Sequence, residues 1–302
     1  MGASFMSLPS TSSAQVESFF HRDTGTFTHL VYEGDGGAAA IIDSVLDYDA
    51  AAARTGTAFA DSIIACVRQH RLHVEWILET HAHADHLSAG GYLHDVLGAP
   101  LAIGRGITQV QTHFKHLFGL GDNFIPDGRQ FDRLFDDGDD FHVGALAARA
   151  IATPGHTGDS LTYLIGDAAF VGDTLFAPDT GTARCDFPGG DATQLYRSIQ
   201  TLLALPPETR IFLCHDYPSA ARAPMAETRI GTQLQNNVHM KSGVSEADFV
   251  AMRIARDATL APPRLILPAL QVNIRGGRLP TADSNGIAYL KLPLNRLGKS
   301  GP

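Results

Sequence analysis

The 302-residue sequence predicts an α/β fold, and three observations lead to that prediction. Short apolar runs such as 74–78 are typical of buried strands, whereas 57–71 carries apolar residues at helical spacing. Predicted strands and helices follow one another along most of the chain. Several of the apolar runs end at a histidine or an aspartate, which is how a sheet presents rigid side chains to one site.

The elements are predicted in chain order. Strands at 16–20, 26–32 and 38–42 come first, with glycine-containing turns between them. The pattern then predicts helices at 57–71, 88–97, 107–118, 191–205 and 245–259. It predicts strands at 74–79 and 100–104, and paired strands at 141–152 and 161–170. In the helix at 245–259, Ser245 is the predicted N-cap and Asp248 completes a capping box. Residues 264–302 show no clear period.

These elements predict a single catalytic domain with an appendage. Residues 1–14 are expected to be a tail that is disordered or derived from the expression vector. Residues 15–220 contain every candidate ligand and form the expected catalytic domain. Residues 221–302 are expected to be a C-terminal extension packed on that domain.

Composition excludes several classes of function. The net charge of −9 and the absence of a Lys/Arg cluster argue against nucleic acid and anionic membranes as partners. No apolar run approaches the roughly 20 residues that span a bilayer. The three cysteines form no CxxC pair, so a reduced, cytoplasmic setting is expected.

Candidate metal ligands are concentrated in one short run and recur after three later segments. The run His81-Ala82-His83-Ala84-Asp85-His86 directly follows the predicted strand at 74–79. Further candidates follow a Pro-Gly turn or an apolar run: His156, Asp173 and His215. Imidazole suits Zn, Fe, Cu and Ni, while carboxylate oxygen suits harder ions. The sequence therefore predicts one or two transition-metal ions.

Two metal arrangements use these residues. In a dinuclear arrangement one ion has the ligands His81, His83 and His156, a second has Asp85, His86 and His215, and Asp173 bridges them. Two metals generate a hydroxide nucleophile suited to ester, thioester or phosphoester hydrolysis. In a mononuclear arrangement His81, His156 and Asp173 form the two-histidine, one-carboxylate face of non-haem Fe(II) oxygenases, and the other four orient them. The spacing is the same in both cases and does not separate them.

The ligand pattern resembles the metallo-β-lactamase superfamily. The similarity rests on HxHxDH at 81–86 together with His156, Asp173 and His215, and it covers roughly 15–220. It implies a four-layer αββα sandwich with the metal at one edge, between the two sheets.

A narrower resemblance is to persulfide dioxygenases of the bacterial type. It rests on four segments: THAHADHLSAG (80–90), the stretch 180–191, CHDY (214–217) and the tail LPALQVNIRGGRLP (267–280). The chain has Cys214 where that family usually has glycine, and Gly276 where it often has alanine. Neither change removes a ligand.

That resemblance implies an enzyme with one Fe(II) per chain. It would use O2 to oxidise glutathione persulfide to sulfite and glutathione, in sulfide detoxification. It also implies a homodimer, and a sulfurtransferase such as a rhodanese is the expected upstream partner. Arg184 and Tyr217 are the candidate catalytic and substrate contacts, with Arg275 a further candidate for binding substrate.

Each of these residues also has a structural interpretation. Arg184 can equally pair with Asp186 or Asp191, and Tyr217 can equally be a packing residue. Cys185 is expected to be a small buried side chain rather than a persulfide carrier.

The main alternative function is a glyoxalase II-like dinuclear hydrolase of glutathione thioesters, for which zinc would serve. A general metallohydrolase such as a lactonase is a second rival. A non-enzymatic sulfide sensor is disfavoured because the ligand set is complete.

Overall fold

A computed structural model describes residues 13–218 and 222–296 of the chain. Residues 1–12 of the predicted tail and the predicted domain boundary at 220 lie outside these ranges. None of the helices within them is both long and apolar enough to span a bilayer.

The first half of the chain builds one large sheet. Its elements are β1 (Gln15–His21), β2 (Thr26–Tyr32), β3 (Ala38–Ile42), β4 (Val45–Asp49), β5 (Arg54–Gly56), α1 (Ala58–Gln69), β6 (His73–Leu78), β7 (Leu87–Ser88), α2 (Gly90–Leu97), β8 (Leu101–Gly104), α3 (Ile107–Leu117) and β9 (Arg133–Phe135). The sheet order is β1-β2-β3-β6-β8-β9, antiparallel at β1 to β3 and parallel from β3 onward. Strands β5, β4 and β7 form a small separate sheet.

The second half builds a matching sheet. Its elements are β10 (Asp140–Val143), β11 (Leu146–Ala152), β12 (Leu161–Ile165), β13 (Ala168–Phe170), α4 (Ala192–Leu203), β14 (Arg210–Phe212), β15 (Glu227–Arg229), α5 (Ile230–Asn236), α6 (Glu246–Asp257) and α7 (Ile266–Asn273). The strands lie in sequence order, and only β13 and β14 pair in parallel.

The two sheets face each other across an apolar core, and helices cover their outer faces. The core between the sheets contains Leu78, Phe135, Tyr163 and Phe170. Helices α1, α2, α3 and α7 bury apolar side chains against the first sheet, and α4, α5 and α6 do so against the second. This arrangement confirms the predicted α/β class and the four-layer αββα sandwich.

Three differences from the predicted elements have local causes. The predicted strands 141–152 and 161–170 are each a hairpin, because Gly144 and Gly166 adopt positive φ values of 56° and 58° and turn the chain. The helix predicted from 88 begins at Gly90, because residues 87–88 pair with β4. The sequence did not predict helix α7. Most of its residues are buried, so it has no polar face and its apolar residues show no helical spacing.

The predicted N-cap of α6 is present, and α4 has an N-cap that the sequence analysis did not predict. Ser245 accepts a hydrogen bond from the Asp248 backbone N–H at 3.1 Å, and its hydroxyl donates to the Asp248 carboxylate at 2.7 Å. Asp191 caps α4 by accepting from the Gln194 backbone N–H. The residues after 221 join both halves of the fold: β15 extends the second sheet, and α7 packs on the first. The division of the chain at 220 stays a prediction.

Candidate metal centre

All seven predicted ligands lie in loops that follow strands. The segment 81–86 follows β6, and His156 follows β11. Asp173 and His215 follow β13 and β14, a parallel pair whose carboxyl ends meet at one edge. A bridge between Thr26 and His215 joins the two sheets at this edge. The loops of both sheets therefore converge at one end of the sandwich.

The ligands fall into two adjoining groups. In each group the potential ligand atoms lie within 4.8 Å of one another. The first is His81, His156 and Asp173, and the second is His83, Asp85, His86 and His215. Asp173 Oδ1 is 3.3 Å from His215 Nε2, so Asp173 lies between the two groups.

The two histidines of the first group present Nε2 to the site. His156 Nδ1 donates a 2.7 Å hydrogen bond to the backbone carbonyl of Arg184. His81 Nδ1 lies 3.0 Å from the Thr80 hydroxyl, whose own hydrogen is donated to Asp43 at 2.9 Å. Because the Thr80 oxygen must then accept from His81, each imidazole carries its proton on Nδ1. Both Nε2 lone pairs are free for a metal ion.

In the second group His83 is oriented in the opposite sense. Its Nε2 lies 3.0 Å from Asp43 Oδ1 and 3.4 Å from Glu79 Oε2, so Nδ1 is the free nitrogen. His215 Nδ1 lies 3.4 Å from the carbonyl oxygen of Gly25, and its Nε2 lies 3.2 Å from Asp85 Oδ2. Carboxylate contacts on the outer nitrogen of a ligating histidine fix its tautomer and raise its basicity.

Buried polar atoms without a hydrogen-bond partner identify the site as a fit for metal. Five of the eight such side-chain atoms in the described ranges belong to predicted ligands: His81 Nε2, His83 Nδ1, His86 Nε2, Asp173 Oδ1 and His215 Nε2. An unpaired buried polar atom costs about 1–3 kcal/mol, so a natural protein rarely collects five in one place. Imidazole nitrogens and carboxylate oxygens with inward-facing lone pairs satisfy the ligand requirements of a transition-metal ion.

The buried surroundings shift the pKa values of three of the ligand imidazoles, in two directions. Burial, reinforced by the neighbouring His83 charge, lowers the pKa of His81 well below its usual value. Burial also lowers the pKa of His86 to about 4. His83 differs: burial alone would lower its pKa, but Asp43 and Glu79 outweigh burial and raise it well above the usual range. His81 and His86 therefore offer lone pairs at neutral pH.

Three buried residues that the sequence did not single out hold the ligand loop. Asp43 follows β3 at φ 52° and accepts from the Thr80 backbone N–H at 2.7 Å. Asp159 accepts from the Ala82 N–H at 2.9 Å. Asn273 donates to the carbonyl oxygens of residues 83 and 86. Asp43 ends an apolar run, as the predicted ligands do, so the same signal could have found it.

A cavity of about 390 Å³ opens beside the ligands, and Tyr217 and Arg184 both line it. The Tyr217 side chain is 55% exposed, and its ring stacks on His215 at 5.8 Å between centroids and 9° between planes. The Arg184 guanidinium pairs with Asp186 through two hydrogen bonds of 2.6 and 2.7 Å. The predicted pairing with Asp186 is therefore present, and contact of either residue with substrate stays a prediction.

Arg275 and Cys185 lie apart from the ligands. Arg275 lines a different cavity of about 330 Å³, where its guanidinium stacks over Phe124 at 4.9 Å and donates to the Gln271 carbonyl oxygen. The structure does not bring Arg275 to the metal centre. Cys185 is buried, and burial together with Asp257 raises its pKa to about 12. It is therefore a thiol at neutral pH, in line with a packing role.

Two facing sheets with a histidine and aspartate centre at one edge define a metal-dependent class of protein. The profile of the metallo-beta-lactamase superfamily matches residues 22–215. The chain belongs to this superfamily.

Individual relatives are named either as a hydrolase or glyoxylase, or as a persulfide dioxygenase. A probable metallo-hydrolase of Burkholderia pseudomallei is 53% identical, over 93% of this chain and 99% of its own length. Glyoxylase B2 of Dictyostelium discoideum is 46% identical, over 94% and 98%. The human mitochondrial persulfide dioxygenase ETHE1 is 29% identical, over 85% and 87%. Among solved structures, ETHE1 from Myxococcus xanthus is 29% identical with a TM-score of 0.68, covering 87% of this chain and all of its own.

Proposed function

We propose that this protein is a non-haem Fe(II) persulfide dioxygenase acting on glutathione persulfide. The observation that carries the proposal is the face formed by His81, His156 and Asp173, whose ligand atoms lie within 4.8 Å of one another. Two histidines and one carboxylate are the ligand set of non-haem Fe(II) oxygenases. The similarity to persulfide dioxygenase over most of the chain supports the same choice.

The reaction balances with one O2 and one water. Glutathione persulfide, O2 and water give glutathione, sulfite and two protons, with the outer sulfur oxidised and O2 reduced. When bound, Fe(II) would supply the O2-activating redox chemistry of this ligand set. Arg184 contributes through its backbone carbonyl, which keeps the His156 proton on Nδ1. Thr80 does the same for His81.

The cavity fits a molecule with an apolar reacting end and a charged body. Phe176 and Phe187 supply apolar walls to the cavity that Asp173 also lines. Arg256 and Arg264 also line the cavity, are exposed, and form no ion pair with any residue in the described ranges. We propose that these two cations take the carboxylates of the glutathione moiety.

The wider setting belongs to the same proposal. A sulfurtransferase of the rhodanese kind would supply the persulfide, and the enzyme would work as a homodimer in the cytoplasm.

A second candidate is a dinuclear hydrolase of glutathione thioesters. The observation that favours it is the second group of four ligand residues, His83, Asp85, His86 and His215, in which three imidazole nitrogens have no hydrogen-bond partner. The hydrolase and glyoxylase names of relatives at 53% and 46% identity support it. Two ions sharing Asp173 would activate water for hydrolysis.

The deciding experiment combines metal analysis with O2 uptake by protein loaded anaerobically with Fe(II). The dioxygenase predicts about one iron per chain, the stoichiometry of a facial triad, with O2 uptake that depends on glutathione persulfide and yields sulfite. About two ions per chain, as in two-metal hydrolases, with no O2 uptake and with hydrolysis of S-lactoylglutathione would overturn it.

The Asp85→Asn variant separates the two metal arrangements within the chain. In the dinuclear enzyme this substitution removes a ligand of the second ion, and the metal content falls. In the mononuclear enzyme Asp85 contacts His86 and His215 but no ligand of the iron, so the iron content stays at the wild-type level. The matched control is Asp173→Asn, which lowers metal content in both arrangements.

A further inference from the structure

A second group of metal-ligand residue types lies at the opposite end of the first sheet from the candidate metal centre. Glu17 is on β1, and Cys66 and His70 are on α1 and at its C-cap. His70 comes just before β6, whereas the catalytic ligand loop comes just after it. A strand of that length spans roughly 20 Å at about 3.3 Å per residue, so the two groups are separate.

The three side chains already touch one another. The Cys66 thiol donates to Glu17 Oε2 at 3.2 Å, and His70 Nε2 lies 3.0 Å from Glu17 Oε1. Their potential ligand atoms lie within 4.8 Å of one another. Tetrahedral zinc, with bonds of about 2.0–2.3 Å, places neighbouring ligand atoms about 3.3–3.6 Å apart. The two contacts of Glu17, at 3.2 and 3.0 Å, are thus within a few tenths of an ångström of the spacing that an ion requires.

The surrounding residues fix two of the three ligands. Asp35 Oδ1 lies 2.7 Å from His70 Nδ1, so Nε2 is the nitrogen that faces Glu17 and Cys66. The Tyr32 hydroxyl donates to Glu17 at 3.2 Å. Cys66 and His70 are four residues apart, which places them on one face of the helix. A carboxylate on the outer nitrogen of a histidine is the usual support of a metal ligand.

Access and burial are also suited to an ion. Cys66 is buried at 8% exposure, whereas the side chains of His70 and Glu17 are 20% and 38% exposed. The Cys66 thiol is thus shielded from solvent, whereas the side of the group formed by Glu17 and His70 is open to solvent. A water molecule can complete the coordination from the open side.

We propose that Glu17, Cys66 and His70 form a second metal site, for a zinc ion, that ties β1 to the end of α1. A thiolate and an imidazole select zinc over magnesium or calcium. On binding, the Cys66 thiol proton and the His70 Nε2 proton are released to solvent, and the charges of Cys66 and Glu17 neutralise those of the ion. The competing interpretation is a hydrogen-bonded network that holds no ion.

Cobalt(II) substitution distinguishes these interpretations, because a cobalt–thiolate bond gives a near-ultraviolet charge-transfer band that nitrogen and oxygen ligands do not give. Metal-stripped full-length protein is titrated with Co(II) under reducing conditions. The expected result is a band that saturates at about one thiolate-bound ion per chain, as a single-cysteine site requires. Zinc should abolish it by competition.

Three cysteine variants locate the thiolate. The band should be lost in Cys66→Ser and retained in Cys185→Ala and Cys214→Ala. Cys214 is the necessary control because it lies close to Asp173 and His215. A band lost in Cys214→Ala but not in Cys66→Ser would overturn the proposal, and so would the absence of a band in wild type.

The His70→Gln variant guards against loss of folding in Cys66→Ser. It keeps the thiol but removes the imidazole, so Co(II) should bind this site about 10–100-fold more weakly. An unchanged affinity, with circular dichroism like that of wild type, would also overturn the proposal.

Discussion

The side-chain amide of Asn273 donates a 2.7 Å hydrogen bond to the backbone carbonyl of His83, across 190 residues of sequence. The same amide donates to the His86 carbonyl at 2.8 Å, and its oxygen accepts from the Ser88 N–H at 2.8 Å. All of these groups are buried. Helix α7, near the end of the described chain, therefore fixes the backbone of the ligand loop 81–86 through Asn273.

Replacing Asn273 with alanine should loosen that loop. The substitution leaves three backbone groups buried without partners, at roughly 1–3 kcal/mol for each group that water does not reach. We expect a lower free energy of unfolding, and metal affinity reduced about 10–100-fold as for other supporting contacts. Urea unfolding and competitive metal titration measure the two effects. The control is Asn285→Ala in the exposed tail, and equal behaviour of the two variants would contradict the assignment.

The Asp43→Asn substitution should weaken metal binding without unfolding the protein. Asparagine tolerates the positive φ at this position. Asp43 Oδ1 faces both the Thr80 backbone N–H and His83 Nε2, so the asparagine oxygen should take that position and the N–H₂ should face the Thr80 hydroxyl. That hydroxyl would then donate to His81 Nδ1 and move the imidazole proton to Nε2, the nitrogen that must be free. We expect metal affinity to fall about 10–100-fold, measured by chelator competition. Asp49→Asn, at an exposed turn, is the control, and an affinity equal to wild type would refute the role of Asp43.

The sequence predicted the ligands because each follows a strand or a turn in a recognisable way. His156, Asp173 and His215 stand after short apolar segments, and the structure brings them to one edge. Asn273 had no such signal, because α7 is buried on most sides and shows no period. Its contacts are with backbone carbonyls, and such contacts do not depend on any pattern of side chains.

Arg184 illustrates the same limit. The sequence predicts a contact between its guanidinium and a substrate carboxylate, and it equally allows a pair with Asp186. The structure shows the pair, and it shows that the backbone carbonyl of Arg184 orients His156. A main-chain contact of this kind is set by the path of the loop after Asp173, which spacing alone does not determine.

Tyr217→Phe tests the proposed substrate contact at the metal cavity. The ring stacking on His215 is kept, and only the hydroxyl is lost. One hydrogen bond is worth about 0.5–1.5 kcal/mol, so KM for glutathione persulfide should rise, or kcat fall, by about 2–10-fold. Iron content should stay unchanged. Tyr289→Phe in the exposed tail is the matched control, and steady-state kinetics like those of wild type in both variants would remove Tyr217 from the site.

The buried imidazole of His29 should make stability depend on pH. Burial lowers its pKa to about 4, while Nε2 donates to the Leu213 carbonyl and Nδ1 accepts from the Ser18 hydroxyl. Between about pH 6.5 and 4 the unfolded chain binds a proton that the folded chain does not. The free energy of unfolding should therefore decrease as the pH is lowered, by about 3 kcal/mol over this window. His29→Gln cannot titrate, so its unfolding free energy from urea titrations should fall less over this window. Parallel pH profiles for wild type and variant would show that His29 does not contribute.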